Sequence, residues 1–170
     1  MACEALQVGI VVERRKLASR WAGHAWRPAA LLPGVPAVPP WTVLAQSGAA
    51  VQYYAGACEL RFFSSETGSY RDNLISGRPC LWIALYESGA HPGIAVHAVT
   101  ADPAEGEAMT EPGDRIVDVV PMPEEIRDRL AAFVAAHHVE RPFVKRKRDR
   151  ADPESMAHHL PGVWPAEEAS

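Results

Sequence analysis

Proline and glycine interrupt this chain so often that a helical bundle is a poor fit. The 170 residues include 15 Pro and 12 Gly. Proline lacks the N–H donor that a helix interior needs, and glycine loses more backbone entropy on ordering than other residues. The pattern therefore predicts short strands joined by turns, in a chain long enough to bury one core without disulfides or metals.

Apolar residues between these interruptions follow strand patterns. Residues 6–12 alternate apolar and other side chains, which predicts a half-buried strand. Residues 80–86 (CLWIALY) are apolar on both faces, which predicts a central strand. The remaining predicted strands are 41–46, 51–54, 58–64, 94–100 and 116–120. Their spacing predicts an antiparallel β sandwich or partial barrel, with a hairpin turn at 64–68 and an acidic loop at 102–114.

One amphipathic helix is predicted near the C-terminus, over residues 124–138. Two Glu follow Pro123, where negative charge suits the positive end of the helix dipole. An apolar stripe then recurs at helical spacing; its members are Ile126, Leu130, Phe133, Val134 and His137. The fold class is mainly β (α+β), with this helix packed on the sheet or closing one end of the barrel.

The charge distribution divides the chain into a body and a tail. Residues 141–150 hold six cations and one anion, a net +5, whereas the whole chain carries −4. We therefore expect a single β-rich domain over 1–140 and a basic, then polar, tail over 141–170. Large apolar groups are sparse in the tail, so we expect it to be flexible.

Neither a metal site nor catalysis is predicted. Cys3, Cys58 and Cys80 are scattered, with no metal or disulfide spacing, and neighbouring His137 and His138 would point about 100° apart on a helix. Phosphate-binding glycine loops and a GxSxG elbow are absent. The sequence predicts no catalytic residue, no metal and no cofactor, and it favours a protein that is not an enzyme.

The location prediction is cytoplasmic. The N-terminus lacks a basic region followed by an apolar run, which a signal peptide requires. No apolar run is long enough to span a bilayer. Three unpaired cysteines agree with a reducing compartment.

Two segments are candidate partner-binding sites. Residues 20–28 hold two Trp, two Arg and a His, which would either plug a barrel end or bind a partner. The basic run near residue 145 would bind phosphates, dock an acidic surface or only solubilise the tail, and Phe143 beside it favours recognition. The predicted partner-binding residues are Arg20, Trp21, His24, Trp26, Arg27, Phe143, Lys145, Arg146, Lys147 and Arg148.

Two segments, VGIVVERRKLASRWAGHAWRP (8–28) and HHVERPFVKRKRDRADP (137–153), resemble a proteobacterial family of unknown function. Genes of that family often lie beside those of a molybdenum-dependent formate dehydrogenase. The resemblance implies a non-catalytic accessory, assembly or regulatory factor whose partner is a formate dehydrogenase subunit or maturation factor. The alternative is a small-ligand, nucleotide or nucleic-acid-binding module that uses the basic C-terminal segment. The acidic remainder of the chain argues against nucleic acid, and no membrane partner is expected.

Overall fold

The long strand β1 (Cys3–Lys16) runs through the interior of a four-stranded antiparallel sheet. The computed structural model describes residues 1–111 and 113–140, so the predictions for the 141–170 tail lie outside the described residues. Strand β2 (His24–Leu32) pairs with one edge of β1. Strands β3 (Thr42–Ser47) and β4 (Ala50–Phe63) complete the order β2-β1-β4-β3. Alternation places Val8, Ile10 and Val12 on one face, where all three are fully buried.

Strand β4 is one continuous element, although its sequence predicted two strands. The β1–β4 ladder shifts register between Ile10 and Val11, whose partners are Gly56 and Tyr54. Gly56 has a φ of 125°, which a residue with a Cβ rarely adopts. The glycine therefore allows an irregularity inside the strand rather than ending it.

A second antiparallel sheet contains β5 (Cys80–Glu87) between β6 (Ile94–Thr100) and β7 (Arg115–Pro121). Leu81, Ile83, Ala84 and Leu85 are all fully buried. Consecutive buried residues mean that both faces of β5 are covered, which confirms the predicted central strand.

The two sheets contact each other through two pairs of strands. Strand β2 lies beside β7, and β4 lies beside β6. Side chains from both sheets form one core, to which Leu60, Phe62, Leu81 and Ile83 contribute. Among the described residues the hydrogen-bonded ladders do not join into a closed barrel. The predicted mainly β, antiparallel fold is confirmed as two sheets.

In the part of the chain that the structure describes, three α-helices accompany the sheets: α1 (Thr67–Ile75), α2 (Pro103–Ala108) and α3 (Glu124–His137). The predicted helix is α3, and its stripe Ile126, Leu130, Phe133 and Val134 is buried as expected. His137 packs its ring 4.6 Å from that of Phe133, and His138 contacts Thr67 of α1. The predicted turn at 64–68 is wrong, since residues 64–66 form a 3-10 turn that leads into α1. The prediction of a loop over 102–114 is wrong for residues 103–108, which form α2.

Candidate functional site

The Trp-rich segment divides between a loop and a strand. Residues 17–23 connect β1 to β2, and Leu17 N–H donates to the Gly23 carbonyl at 3.1 Å to close this loop. From His24 onward the segment is β2, which ends at Leu32, where a proline-rich stretch follows. Alternate side chains of β2 therefore lie on opposite faces of the sheet. This alternation gives neighbouring residues different roles.

Three aromatic rings, Trp26, Trp41 and Tyr53, contact one another and are called the aromatic cluster below. Their centres lie 5.8 Å (Trp26–Tyr53), 5.9 Å (Trp26–Trp41) and 6.4 Å (Trp41–Tyr53) apart. His24 adds an edge contact to Trp26, with ring centres 5.8 Å apart. All three rings are partly buried and pack against the core. The cluster thus has a supported inner side and an accessible outer side.

Trp41 reaches the aromatic cluster through an unusual backbone conformation. It has a φ of 71°, and it is the single described non-glycine residue with a positive φ. Such a conformation costs about 1–3 kcal/mol and is kept only where the surroundings impose it. Here the Trp41 N–H donates to the Tyr54 carbonyl, and the Thr42 hydroxyl donates to the Pro39 carbonyl at 2.7 Å. These bonds fix the start of β3 and place the indole on Trp26 and Tyr53.

Arg14 covers part of the aromatic cluster. It pairs with Trp26 across the β1–β2 ladder. Its guanidinium carbon lies 5.8 Å from the Trp26 ring centre and 5.5 Å from the Tyr53 ring centre. Both distances allow a cation–π attraction, which also restricts the side chain. The ring contacts therefore hold a positive charge in place over the aromatic surface.

Glu13, the preceding residue, is only 5% exposed and anchors two arginines on the other face of the sheet. Arg27 Nε donates to Glu13 Oε1 at 3.0 Å, and Arg15 Nη2 donates to the same oxygen at 3.2 Å. The hydrogen bond from Arg27 is the main reason that the pKa of Glu13 is lowered, although burial opposes it. The same bond raises the pKa of Arg27. Arg27 therefore has a structural role, which is to pair with the buried Glu13.

The structure separates the predicted site residues. Trp21 is 97% exposed in the 17–23 loop, and Arg20 is exposed beside it. Trp26 belongs to the aromatic cluster and His24 contacts its edge, whereas Arg27 pairs with Glu13. Their assignment as partner-binding residues remains a prediction. Outside the described residues lie Phe143, Lys145, Arg146, Lys147 and Arg148.

Sequence reasoning missed three members of this surface: Arg14, Trp41 and Tyr53. Arg14 stands in a run of charged residues (13–16), which hides its i, i+2 relation to Val12 and hence its place on the apolar face. Tyr53 pairs with Val12 across the β1–β4 ladder, and that register was not available from composition. Trp41 follows two prolines, and no sequence rule predicts its positive φ.

Away from the aromatic cluster, a groove of about 370 Å³ lies between β4 and β6. Its polar lining comes from Cys58, Glu59, Arg61, His97 and Glu105. Arg61 Nε donates to Glu59, and burial raises the pKa of the Cys58 thiol. A raised pKa favours the thiol over the nucleophilic thiolate. Across residues 1–111 and 113–140, no three His, Cys, Asp or Glu side chains converge to hold a metal ion.

The fold and this surface define a small, mainly β protein with two antiparallel sheets and an aromatic, positively charged face. A family model described as Protein of unknown function (DUF3305) matches residues 7–147. The chain belongs to the DUF3305 family. The match includes the whole aromatic cluster and both sheets, apart from the first four residues of β1. No curated protein and no solved structure matches the chain. In the described part of the chain no helix is long and apolar enough to cross a membrane.

Proposed function

We propose that this protein is a non-catalytic accessory, assembly or regulatory factor that acts by binding another protein. The observation that carries the proposal is the fully exposed Trp21 at the same end of the sheet as the aromatic cluster and Arg14. Tryptophan and arginine supply much of the binding energy of protein interfaces, and an indole left in water loses the stabilisation that burial would give. A partner that covers Trp21 would recover it.

The uncharged part of the surface also supports protein binding. Residues 28–58 contain no Asp, Glu, Lys, Arg or His, in a chain with 22% charged residues. Large apolar side chains from this stretch lie exposed; they are Val35, Val38, Val43 and Leu44. The last two lie on the edge strand β3, next to the strand that carries Tyr53. An interface needs such apolar area beside its charged anchors.

We further propose that the partner belongs to a formate dehydrogenase complex, as a subunit or a maturation factor. This assignment rests on the resemblance of residues 8–28 and 137–153 to a family encoded beside such enzymes. The three cysteines are dispersed over Cys3, Cys58 and Cys80, without the spacing that holds an iron–sulfur cluster. A helper role agrees with that chemistry better than electron transfer does.

A deletion strain tests this function. We expect loss of the gene to lower formate dehydrogenase activity and molybdenum content, and wild-type protein to restore both. A Trp21→Ala protein should restore them less well, whereas Val139→Ala, which changes another exposed apolar residue, serves as the matched control. Normal activity and metal content in the deletion strain would contradict the formate dehydrogenase assignment. Full rescue by Trp21→Ala would move the binding surface elsewhere.

Small-ligand binding is the second candidate, favoured by the groove between β4 and β6. Arg61 and His97 line it together with Phe63. A cation, an imidazole and an aromatic ring are groups that hold a small anionic or planar ligand. Hydrogen exchange with and without metabolite mixtures tests this function. Slower exchange of the backbone amides in 58–63 and 94–100 would support it, and unchanged exchange with every mixture would count against it.

A further inference from the structure

The side chain of Arg14 has its faces occupied and its hydrogen-bond donors unused. The rings of Trp26 and Tyr53 hold the guanidinium by cation–π contact at 5.8 and 5.5 Å. Within residues 1–111 and 113–140, the Arg14 guanidinium donates no hydrogen bond and forms no ion pair. A guanidinium carries five N–H donors in a planar fork that matches a carboxylate. Arg14 is therefore oriented for an acceptor that this part of the chain does not supply.

We propose that the outer side of the aromatic cluster binds an acidic segment of a partner protein, with Arg14 pairing a partner carboxylate. This inference rests on the proposed protein-binding function and names the chemistry of the partner. The rings of the cluster would take apolar or aromatic side chains that flank the acidic residue. Because the rings already restrict Arg14, the ion pair loses less side-chain entropy than one made by a free surface arginine.

The local charge favours an acidic partner. Residues 13–27 carry five cations and one anion, a net +4, in a chain whose total is −4. Glu13 pairs through Oε1 with Arg15 and Arg27, and it lies on the other face of the sheet. Lys16 and Arg20, like Arg14, form no ion pair with another residue of the described ranges. This end of the sheet thus presents unneutralised positive charge next to apolar rings.

A protein segment fits better than a nucleic acid. Outside the two basic segments, 13–27 and 141–150, the sequence carries a net charge of −13, which follows from −4 less +4 and +5. A long polyanion would extend beyond the basic end of the sheet and be repelled by this remainder. A short acidic peptide would contact only the basic end. Binding of a nucleic acid is therefore an outcome of the test and not part of the proposal.

The test uses the full-length protein and synthetic probes. One fluorescein-labelled peptide alternates Glu with Phe and Leu, a second replaces each Glu by Gln, and a third probe is oligo-dT. Fluorescence anisotropy gives the affinities at low and high salt. We expect the Glu peptide to bind at least about tenfold more tightly than the Gln peptide, since hydrogen bonds between charged groups are worth about 1.5–3 kcal/mol.

Two variants locate the binding site. Arg14→Gln should weaken the Glu peptide about tenfold or more and leave the Gln peptide unchanged. Arg14→Lys keeps the charge but loses the planar fork, so we expect intermediate binding. Arg78→Gln, at an exposed arginine in the α1–β5 turn, removes the same charge elsewhere and is the matched control. Circular dichroism and thermal unfolding check that each variant folds like the wild type.

Three results would overturn the proposal. They are equal affinity for the Glu and Gln peptides, an equal loss in Arg14→Gln and Arg78→Gln, and tighter binding to oligo-dT than to the Glu peptide. The outcome is separate from that of the gene deletion. If the deletion strain is normal but the Glu peptide binds through Arg14, the formate dehydrogenase assignment fails and the site stands. If the deletion strain is defective but neither peptide binds, the acidic-partner inference fails alone.

Discussion

Arg14 and Trp26 are cross-strand partners, and the guanidinium carbon of one lies 5.8 Å from the ring centre of the other. This pair joins the stability of the sheet to its proposed binding surface. On its inner side, Trp26 packs against Trp41 and Tyr53 and thereby against the core. On the outer side, the same ring positions a charge whose donors remain available. Trp26 is thus a supporting residue, and the residues fit for testing recognition alone are Arg14 and Trp21.

Truncation of the two tryptophans should separate folding from binding. Trp26→Ala should lower the free energy of unfolding by about 2–4 kcal/mol, because it removes ring contacts and leaves a cavity beside Trp41 and Tyr53. Trp21→Ala should change it by less than about 0.5 kcal/mol, because Trp21 is 97% exposed. Urea unfolding measures both. A large destabilisation by Trp21→Ala would show that the indole is a structural contact.

The Glu13 network should make stability fall in acid. The folded state lowers the pKa of Glu13 from its ordinary value of 4.5, mainly through the hydrogen bond from Arg27. This stabilisation is complete above the unfolded-state pKa and is lost as the pH falls through the lower folded-state pKa. We expect Glu13→Gln to lower the free energy of unfolding at neutral pH by about 1–2 kcal/mol, an amount limited because both arginines are half exposed.

Urea unfolding of the wild type and Glu13→Gln across acidic and neutral pH checks this linkage. The difference between the two proteins should be greatest at neutral pH and shrink toward strongly acidic pH. Glu66→Gln, at a carboxylate with no ion pair among the described residues, is the matched control. A constant difference at every pH would mean that Glu13 contributes by packing rather than by charge.

Gly106 is required for the contact between α2 and β5. A Cβ at this position would lie 2.1 Å from Cγ of Trp82, a ring atom that cannot move without the whole indole. Gly106→Ala should therefore destabilise the protein by about 1–3 kcal/mol through overpacking. Gly68→Ala in α1 is the control, since no atom lies within 4 Å of the added Cβ. That change should be neutral or stabilise by up to about 1 kcal/mol, as Ala favours helix. Thermal unfolding distinguishes the two.

Asn73 ties α1 to the second sheet and should not tolerate replacement. Its Nδ2 donates to the carbonyls of Cys80 and Ala101 at 2.8 and 2.9 Å, and its Oδ1 accepts from the Cys80 N–H at 3.1 Å. Asn73→Ala should lower the free energy of unfolding by about 2–4 kcal/mol, because it leaves buried backbone groups without their hydrogen-bond partner. Asn73→Asp should cost more, because a carboxylate faces the two carbonyl oxygens without a donor.

Urea unfolding of these variants beside Asp72→Ala checks the role of Asn73. Asp72 is the exposed neighbour, with a 4.0 Å contact to Arg71, so its loss should have little effect. Equal stability of Asn73→Ala and Asp72→Ala would show that water replaces the three bonds.

The elements that the sequence predicted are those whose pattern reflects burial directly. The stripe of α3 and the doubly apolar β5 each bury a large set of side chains, so periodicity shows both their type and their inner face. The α1 helix lacked such a pattern. Its sequence, TGSYRDNLI, has turn-forming residues and a weak apolar stripe, and it is held instead by Asn73 and by the buried Tyr70, whose hydroxyl accepts from the Phe63 N–H. Contacts across the fold override local preference there.

By itself the sequence determined an antiparallel, mainly β protein with one amphipathic C-terminal helix, because strand and helix periods are local properties of side-chain order. Only the tertiary structure decided which members of the Trp-rich segment face the core, face solvent or hold a charge. Glu13 meets Arg27 fourteen residues away, and Arg14 meets Tyr53 from another strand. These pairings depend on strand register, and a shift of one residue would exchange the two faces of the sheet. Register is fixed by the packing of both sheets together, and no local pattern contains it.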